Sequence, residues 1–174
     1  MKSAIRDQNP VIFIEAQLLY GTKGEVGEGE YTIPIGVAEV KRVGHDVTIV
    51  AYSKMLLLAL EAAEQLSREG IDVEVVDPRT LTPLDLPTIT ASVKKTGRLV
   101  IVEEGWRFCG LGAQIAESVY ASAFDYLDAP VLRVTGEAVP MPYSRPLEDA
   151  AIPDKPRIIA AVQSVCGTPS SREA

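Results

Sequence analysis

The run Val100-Ile-Val-Glu-Glu-Gly-Trp106 joins an apolar stretch to two carboxylates, a glycine and the only tryptophan of the chain, and Cys109-Gly-Leu-Gly-Ala-Gln114 follows it. The order reads as a strand, a glycine-rich turn and the opening of a helix. Functional sites of open α/β sheets gather at the carboxyl ends of strands, where turns vary on a fixed scaffold. Two chemistries suit these residues. Glu103 and Glu104 have the composition of an acid/base pair, since repulsion between close carboxylates raises one pKa. Adjacent strand residues point to opposite faces, however, which favours a structural or interface role. Gly110-Leu-Gly112 after a strand matches part of the dinucleotide fingerprint, in which glycines let backbone approach a pyrophosphate. The third glycine of that pattern falls on Ile115, so a tight turn permitting close helix packing is the competing reading.

His45 is the only histidine and stands in Gly44-His-Asp46, a solvated turn by composition. No serine or cysteine has a histidine partner placed by spacing, and a nucleophile without a base is weak at neutral pH. No residue is therefore assigned as catalytic or cofactor-binding, and a self-contained hydrolase is not expected.

The elements that position these residues alternate between strands and helices. Val11-Ile-Phe-Ile14 reads as a short buried strand, and Leu18-Leu-Tyr20 leads into the loop 21–30, whose four glycines and three glutamates keep it from stiffening. A strand-like stretch from Gly36 to Arg42, the turn at Gly44-His-Asp46 and the β-branched strand Val47–Tyr52 read as a hairpin. Ser53 is placed to cap a largely buried helix over Met55–Leu66, closed by Gly70. Ile71–Val76 is the next strand, and Asp85 caps a helix that ends at Gly97. Lys94-Lys95 suits the last turn of that helix, where cations meet the dipole. Arg98–Val102 is a strand, Leu111 to about Phe124 a helix, Pro130–Val134 a strand and Pro156–Val165 the last helix. The pattern predicts an α/β fold: a three-layer α/β/α sandwich on a mainly parallel sheet of about five strands. One domain over residues 1–166 and a disordered tail over 167–174 are expected.

Composition narrows the function classes. A chain of 174 residues with formal charge -7 and pI near 4.8 lacks the clustered cations that nucleic-acid binding needs. No apolar run approaches the roughly 20 residues of a membrane helix, and Met1–Pro10 has no signal-peptide core. The two cysteines, Cys109 and Cys166, form no zinc spacing. A soluble protein of a reducing, cytoplasmic compartment is expected, with neither nucleic acid nor membrane as partner.

A family resemblance runs through the chain. Its carriers include Asn9-Pro-Val-Ile-Phe-Ile-Glu15, Leu19-Tyr-Gly21, Asp46-Val-Thr-Ile-Val50, Arg79-Thr80, Pro83-Leu-Asp85, Val102-Glu-Glu-Gly-Trp106, Phe124-Asp-Tyr-Leu-Asp-Ala-Pro130, Arg133-Val-Thr-Gly136 and Val139-Pro-Met-Pro-Tyr143. Over about residues 2–165 these resemble the carboxy-terminal half of the beta subunits of thiamine-diphosphate-dependent 2-oxoacid dehydrogenases, pyruvate dehydrogenase foremost. The resemblance implies a transketolase C-terminal-like domain that contacts a second beta subunit and docks a lipoyl acyltransferase core. Thiamine diphosphate and magnesium would be held by an amino-terminal domain and an alpha subunit that this sequence lacks, so the chain alone is expected to be inactive.

The resemblance also implies a potassium site at Ala4, Ile5, Asp7 and Asn9, in Ala-Ile-Arg-Asp-x-Asn-Pro, with a simple turn at Asp7 as the alternative. Asp125 and Asp128 would face basic residues of the acyltransferase, unless they form only a solvated acidic turn. Two departures stand out, Glu15-Ala16 after the first strand and Tyr52-Ser-Lys54 before the helix with the apolar Leu56-Leu-Leu58; a buried leucine run suits an interface. The equivalent domain of a transketolase or deoxyxylulose-phosphate synthase, and a free-standing small-molecule binder, are the alternatives.

Overall fold

Five strands and six helices follow one another in a computed structural model that describes residues 1–167. Strand β1 is Glu39–Arg42, β2 Val47–Ala51, β3 Val73–Asp77, β4 Leu99–Trp106 and β5 Leu132–Gly136. They form one sheet in the order β1-β3-β2-β4-β5, parallel throughout except where β1 runs antiparallel to β3. The helices are α1 (Lys2–Arg6), α2 (Lys54–Arg68), α3 (Leu86–Thr96), α4 (Leu111–Ala123), α5 (Arg145–Ala151) and α6 (Lys155–Val165).

Two apolar layers sandwich the sheet, as the alternating strand and helix pattern predicts. On one face Val47, Ile49, Val73, Val75, Val100 and Val102 pack against α2 and α6. On the other Val50, Val76, Leu99 and Ile101 pack against Ile89 and Val93 of α3 and Ile115 and Val119 of α4. Each fully buried aliphatic side chain contributes roughly 1.5–3 kcal/mol. The two cysteines are free thiols.

Local signals fix several helix ends. The Asp85 carboxylate accepts from the Thr88 amide at 3.1 Å and the Thr88 hydroxyl at 2.7 Å, and also from the Ala38 amide at 2.9 Å, tying the start of α3 to the approach of β1. Gly97 closes α3 with φ 70°, the left-handed geometry that glycine adopts without a Cβ penalty. Lys94 and Lys95 occupy its last turn.

Five expectations need correction. Val11–Ile14 is irregular rather than a buried strand, with Ile12 89% and Ile14 80% exposed. Strand-forming residues need a sheet edge to take their amides and carbonyls, and neither edge strand pairs with this run. Residues 36–52 form no hairpin, because β3 lies between β1 and β2. The amides of His45 and Asp46 both donate to the Asp72 carbonyl, hooking the connection over the start of β3 so that β2 enters on its far side. Ser53 stands at the start of α2 but its side chain makes no capping bond. Its backbone sits at φ 57°, ψ -140°, a conformation costing on the order of 1–3 kcal/mol in a non-glycine residue.

In α2 the buried positions are Met55, three alanines and Leu66, whereas Leu57 is 37% exposed and Leu56 and Leu58 only half-buried. Three consecutive residues cannot share one helix face. The strand expected to begin at Pro130 starts instead at Leu132, since proline offers no amide to a ladder. The expected tail lies outside the described residues beyond Gly167. Helices α1 and α5 are additional to the sequence expectation; Pro146 near the start of α5 is the available signal.

Candidate functional site

The strand order changes direction between β2 and β4, because β3 lies on one side of this pair and β5 on the other. The carboxyl ends of such neighbours flank the crevice where open α/β sheets take ligands. Here those ends carry Tyr52, Ser53, Glu103 and Glu104.

Alternation along β4 sends the two glutamates to different helices. Glu103 follows Leu99 and Ile101 onto the α3/α4 face and is 0% exposed. Its Oε1 accepts from Arg133 Nη2 at 2.6 Å and Nε at 3.2 Å, and its Oε2 accepts from the Gly112 amide at 2.9 Å and the Tyr52 hydroxyl at 3.3 Å. Arg133 reaches it because it stands opposite Ile101 in the ladder, two residues before Glu103 on the same face. Glu104 turns to the α2 face and pairs with Lys54. The acid/base pair is thereby excluded, since each carboxylate is engaged by a different cation on a different side of the sheet.

The glycine-rich turn has a comparable explanation. A Cβ on Gly110 would lie 2.6 Å from the Trp106 carbonyl and 2.9 Å from Glu103 Oε1, and one on Gly112 would strike the same carboxylate. The glycines admit backbone close to an anion, as the dinucleotide reading requires, but the anion is the chain's own Glu103. That reading is overturned. The turn continues outward through Trp106, 52% exposed, Phe108, 84% exposed, and Cys109, at φ 54°.

Tyr52 carries a large pKa displacement. Burial, then the charge and hydrogen bond of Glu103, push its phenol up to about 12. The folded chain then retains a proton that an unfolded tyrosine, with pKa about 10, has released. This contribution is complete below pH 10 and disappears as pH rises through about 12. In a tyrosinate absorbance titration the last step is expected to vanish in Tyr52→Phe; a late step that survives would place it on another tyrosine.

His45 is exposed and lies before β2, at the opposite end of the sheet from Glu103. Its Nδ1 contacts Asp72 Oδ2 at 2.9 Å, and with Arg42 beside it this contact holds the Asp72 carboxyl below its ordinary range. It therefore serves no nucleophile at the carboxyl end.

The four positions of the expected potassium site lie together at the end of α1. Ala4 and Ile5 lie within this five-residue helix, and Asp7 Oδ1 accepts from the Asn9 amide at 2.8 Å and the Asn9 side chain at 3.0 Å. The backbone bond and then the side-chain bond hold the Asp7 carboxyl below its ordinary value. Backbone carbonyls and the Asp7 carboxylate are oxygen groups, the ligand type that hard cations take. No cluster of three or more His, Cys, Asp or Glu with the arrangement of a metal site occurs among the described residues.

Asp125 lies in a single 3-10 turn, Phe124–Tyr126, and Asp128 follows it. The Asp128 carboxylate stands 3.7 Å from Arg98 and fills the space beside Gly97, whose carbonyl accepts from the Asp128 amide at 2.8 Å. Asp125 enters no ion pair among the described residues. Lys94 lies over the Tyr126 ring, 4.8 Å from its centre.

Residues 36–158, which include all five strands, match the family described as the C-terminal domain of transketolase. The chain belongs to this family. Within it, the chain is 49% identical over 167 residues to the beta subunit of the pyruvate dehydrogenase E1 component of Rhizobium meliloti (strain 1021), covering 95% of this chain and 36% of that one. The Rickettsia bellii (strain RML369-C) subunit of the same name is 52% identical over 95% of this chain and 51% of its own length. The chain thus spans about half or less of the length of these relatives. Among solved structures a split-gene transketolase, described as an inactive beta4 tetramer, superposes with TM-score 0.70 at 33% identity, covering 83% of this chain and 46% of that one. The mainly parallel sheet and three layers inferred from sequence are those of the transketolase C-terminal domain.

No helix among the described residues is long and apolar enough to cross a membrane.

Proposed function

We propose that this chain is the carboxy-terminal domain of a pyruvate dehydrogenase beta subunit, which contacts a second beta subunit and an alpha subunit and docks the lipoyl acyltransferase core. The observation that carries this reading is the alignment of 95% of the chain with beta subunits at 49–52% identity. The complete enzyme would oxidatively decarboxylate a 2-oxoacid and acylate lipoyl groups, with thiamine diphosphate supplying the carbanion chemistry. The residues here do not suit that cofactor or magnesium: the glycine-rich turn is filled by Glu103, and the buried carboxylates are spent on Arg133 and Lys95. A cytoplasmic location is part of the same proposal, supported by the bacterial source of these two relatives.

The experiment that tests this reading is binding of the acyltransferase's small basic domain. Asp125→Asn is expected to weaken it about 2–5-fold at low salt, with the effect fading as salt rises, the range of exposed charge pairs. Asp128→Asn should act less cleanly, since that carboxylate also supports Arg98. Unchanged affinity in the double variant at low salt would remove Asp125 and Asp128 as the docking site, and no binding by the unaltered chain would remove the docking role.

Potassium belongs to the same proposal. The carbonyls of Ala4 and Ile5, the Asp7 carboxylate and Asn9 would hold it and tie the end of α1 to the segment that follows. A melting midpoint that rises with potassium more than with sodium, and no longer does so in Asp7→Asn, is the expected result. Equal response to both cations would refute the site.

The equivalent domain of a transketolase is a second reading, favoured by the solved neighbour at 33% identity. The higher identity to beta subunits ranks it below the first.

A further inference from the structure

We propose that Arg133, the Gly112 amide and the Tyr52 hydroxyl form a carboxylate-binding pocket that the chain keeps closed with its own Glu103, and that shortening this side chain opens the pocket to a free monocarboxylate the size of acetate. The inference is independent of the assignment to a dehydrogenase, because it rests only on the geometry at the end of β4.

Four features make this a ligand site rather than a chance ion pair. Four hydrogen bonds from three groups converge on one carboxylate, at 2.6, 2.9, 3.2 and 3.3 Å. Arg133 offers two nitrogens to one oxygen and its side chain is only 11% exposed, so the charge it presents is desolvated and aimed inward. Gly112 presents an amide from the first turn of a 13-residue helix, where the dipole favours an anion. Gly110 and Gly112 both lack the Cβ that would occupy the carboxylate's space. The pocket also stands at the switch point of the sheet, where folds of this architecture take ligands. An external anion is excluded from it in the native chain by an internal one of the same chemistry.

The dimensions of the ligand follow from the side chain. Glu103→Ala removes one methylene and one carboxylate while leaving Cβ in place, and these lost atoms are those of acetate. Formate would reach Arg133 but leave a gap, and propionate would meet the Cβ that the substitution leaves behind. Order of effect is therefore expected as acetate, then formate, then propionate.

The test is thermal unfolding of the 174-residue chain followed by circular dichroism, with sodium acetate titrated against sodium chloride at equal ionic strength. Glu103→Ala is expected to melt well below the unaltered chain and to gain on the order of 5 °C, saturably, with acetate in large excess over its dissociation constant. The unaltered chain and Glu103→Gln, whose pocket stays filled, should show no acetate-specific gain, and Glu103→Ala/Arg133→Gln should lose it. If Glu103→Ala is unfolded in chloride, recovery of its helical signal in acetate is the same result. No acetate-specific gain, a gain that survives Arg133→Gln, or a Glu103→Ala chain left unfolded in acetate while Glu103→Gln folds, each overturns the proposal.

Discussion

Arg133→Met is expected to lower the unfolding free energy by about 3–5 kcal/mol, the cost of taking one partner from a buried ion pair. The size follows from what remains. Glu103, 0% exposed, would be left in the interior with only the Gly112 amide and the Tyr52 hydroxyl as partners. The methylenes of arginine and methionine fill similar space, so the loss is electrostatic rather than a cavity effect. Removing both charges should be far milder, because a buried ion pair replaced by apolar groups often costs little. Glu103→Leu/Arg133→Met would orphan the Gly112 amide, however, and a buried donor without a partner costs about 1–3 kcal/mol. The double variant should therefore lie about 1–3 kcal/mol below the unaltered chain and above Arg133→Met. Urea unfolding of the three chains measures this; a double variant less stable than Arg133→Met would show that the pair is not coupled.

Strand and helix periodicity carried the fold because its signals are local. β-branched runs marked β2, β3 and β4, and Asp85, Gly70 and Gly97 marked helix ends by backbone chemistry that does not depend on the rest of the chain. Pairing is not local. Whether residues 39–42 join β2 or β3 depends on the Asp72 carbonyl taking two amides from the 43–46 connection, which no pattern within residues 36–52 expresses. Val11–Ile14 failed for the complementary reason: its residue types favour a strand, but pairing partners decide whether one forms.

The site was half legible. Strand alternation separated Glu103 from Glu104, and that separation is the structural fact that ended the acid/base reading. The glycine spacing correctly signalled backbone close to an anion, while the identity of that anion required knowing that Arg133, far along the chain, shares a face with Ile101 through β4–β5 register. In the sequence Arg133 stands out only as part of a family motif. A single cation, Arg133, amid the apolar residues Val131, Leu132 and Val134 at the start of β5 was the signal that could have found it, since a lone charge in a buried strand demands an opposite one nearby. Ser53 gave no warning, because a serine in the sequence does not reveal the positive φ that it takes between β2 and α2.

Gly44→Ala is expected to destabilise the chain by about 3 kcal/mol or more, at the upper end of the cost of overpacking. A Cβ at this position would fall on the backbone of Val73 and Glu74, within 2.5 Å of the Val73 carbonyl oxygen. Backbone at the start of β3 cannot turn aside as a side chain would. It is also held there by Arg42, which donates to the same Val73 carbonyl, and by the Asp72 carbonyl, which accepts from His45 and Asp46. Relief therefore requires moving the 43–46 connection off β3, which breaks those bonds and loosens the β1–β3 edge. Two other glycines separate this steric effect from backbone freedom. Gly70 has open space around it but φ 86°, so Gly70→Ala should cost only about 1 kcal/mol for the left-handed conformation. Gly105 has open space and no such φ, so Gly105→Ala should be close to neutral. Denaturation midpoints in the order Gly105→Ala, Gly70→Ala, Gly44→Ala from most to least stable are the expected result. A Gly44→Ala chain as stable as Gly105→Ala would mean that the connection is free to lift from β3, and that the pairing of β1 with β3 is not what fixes the entry of β2.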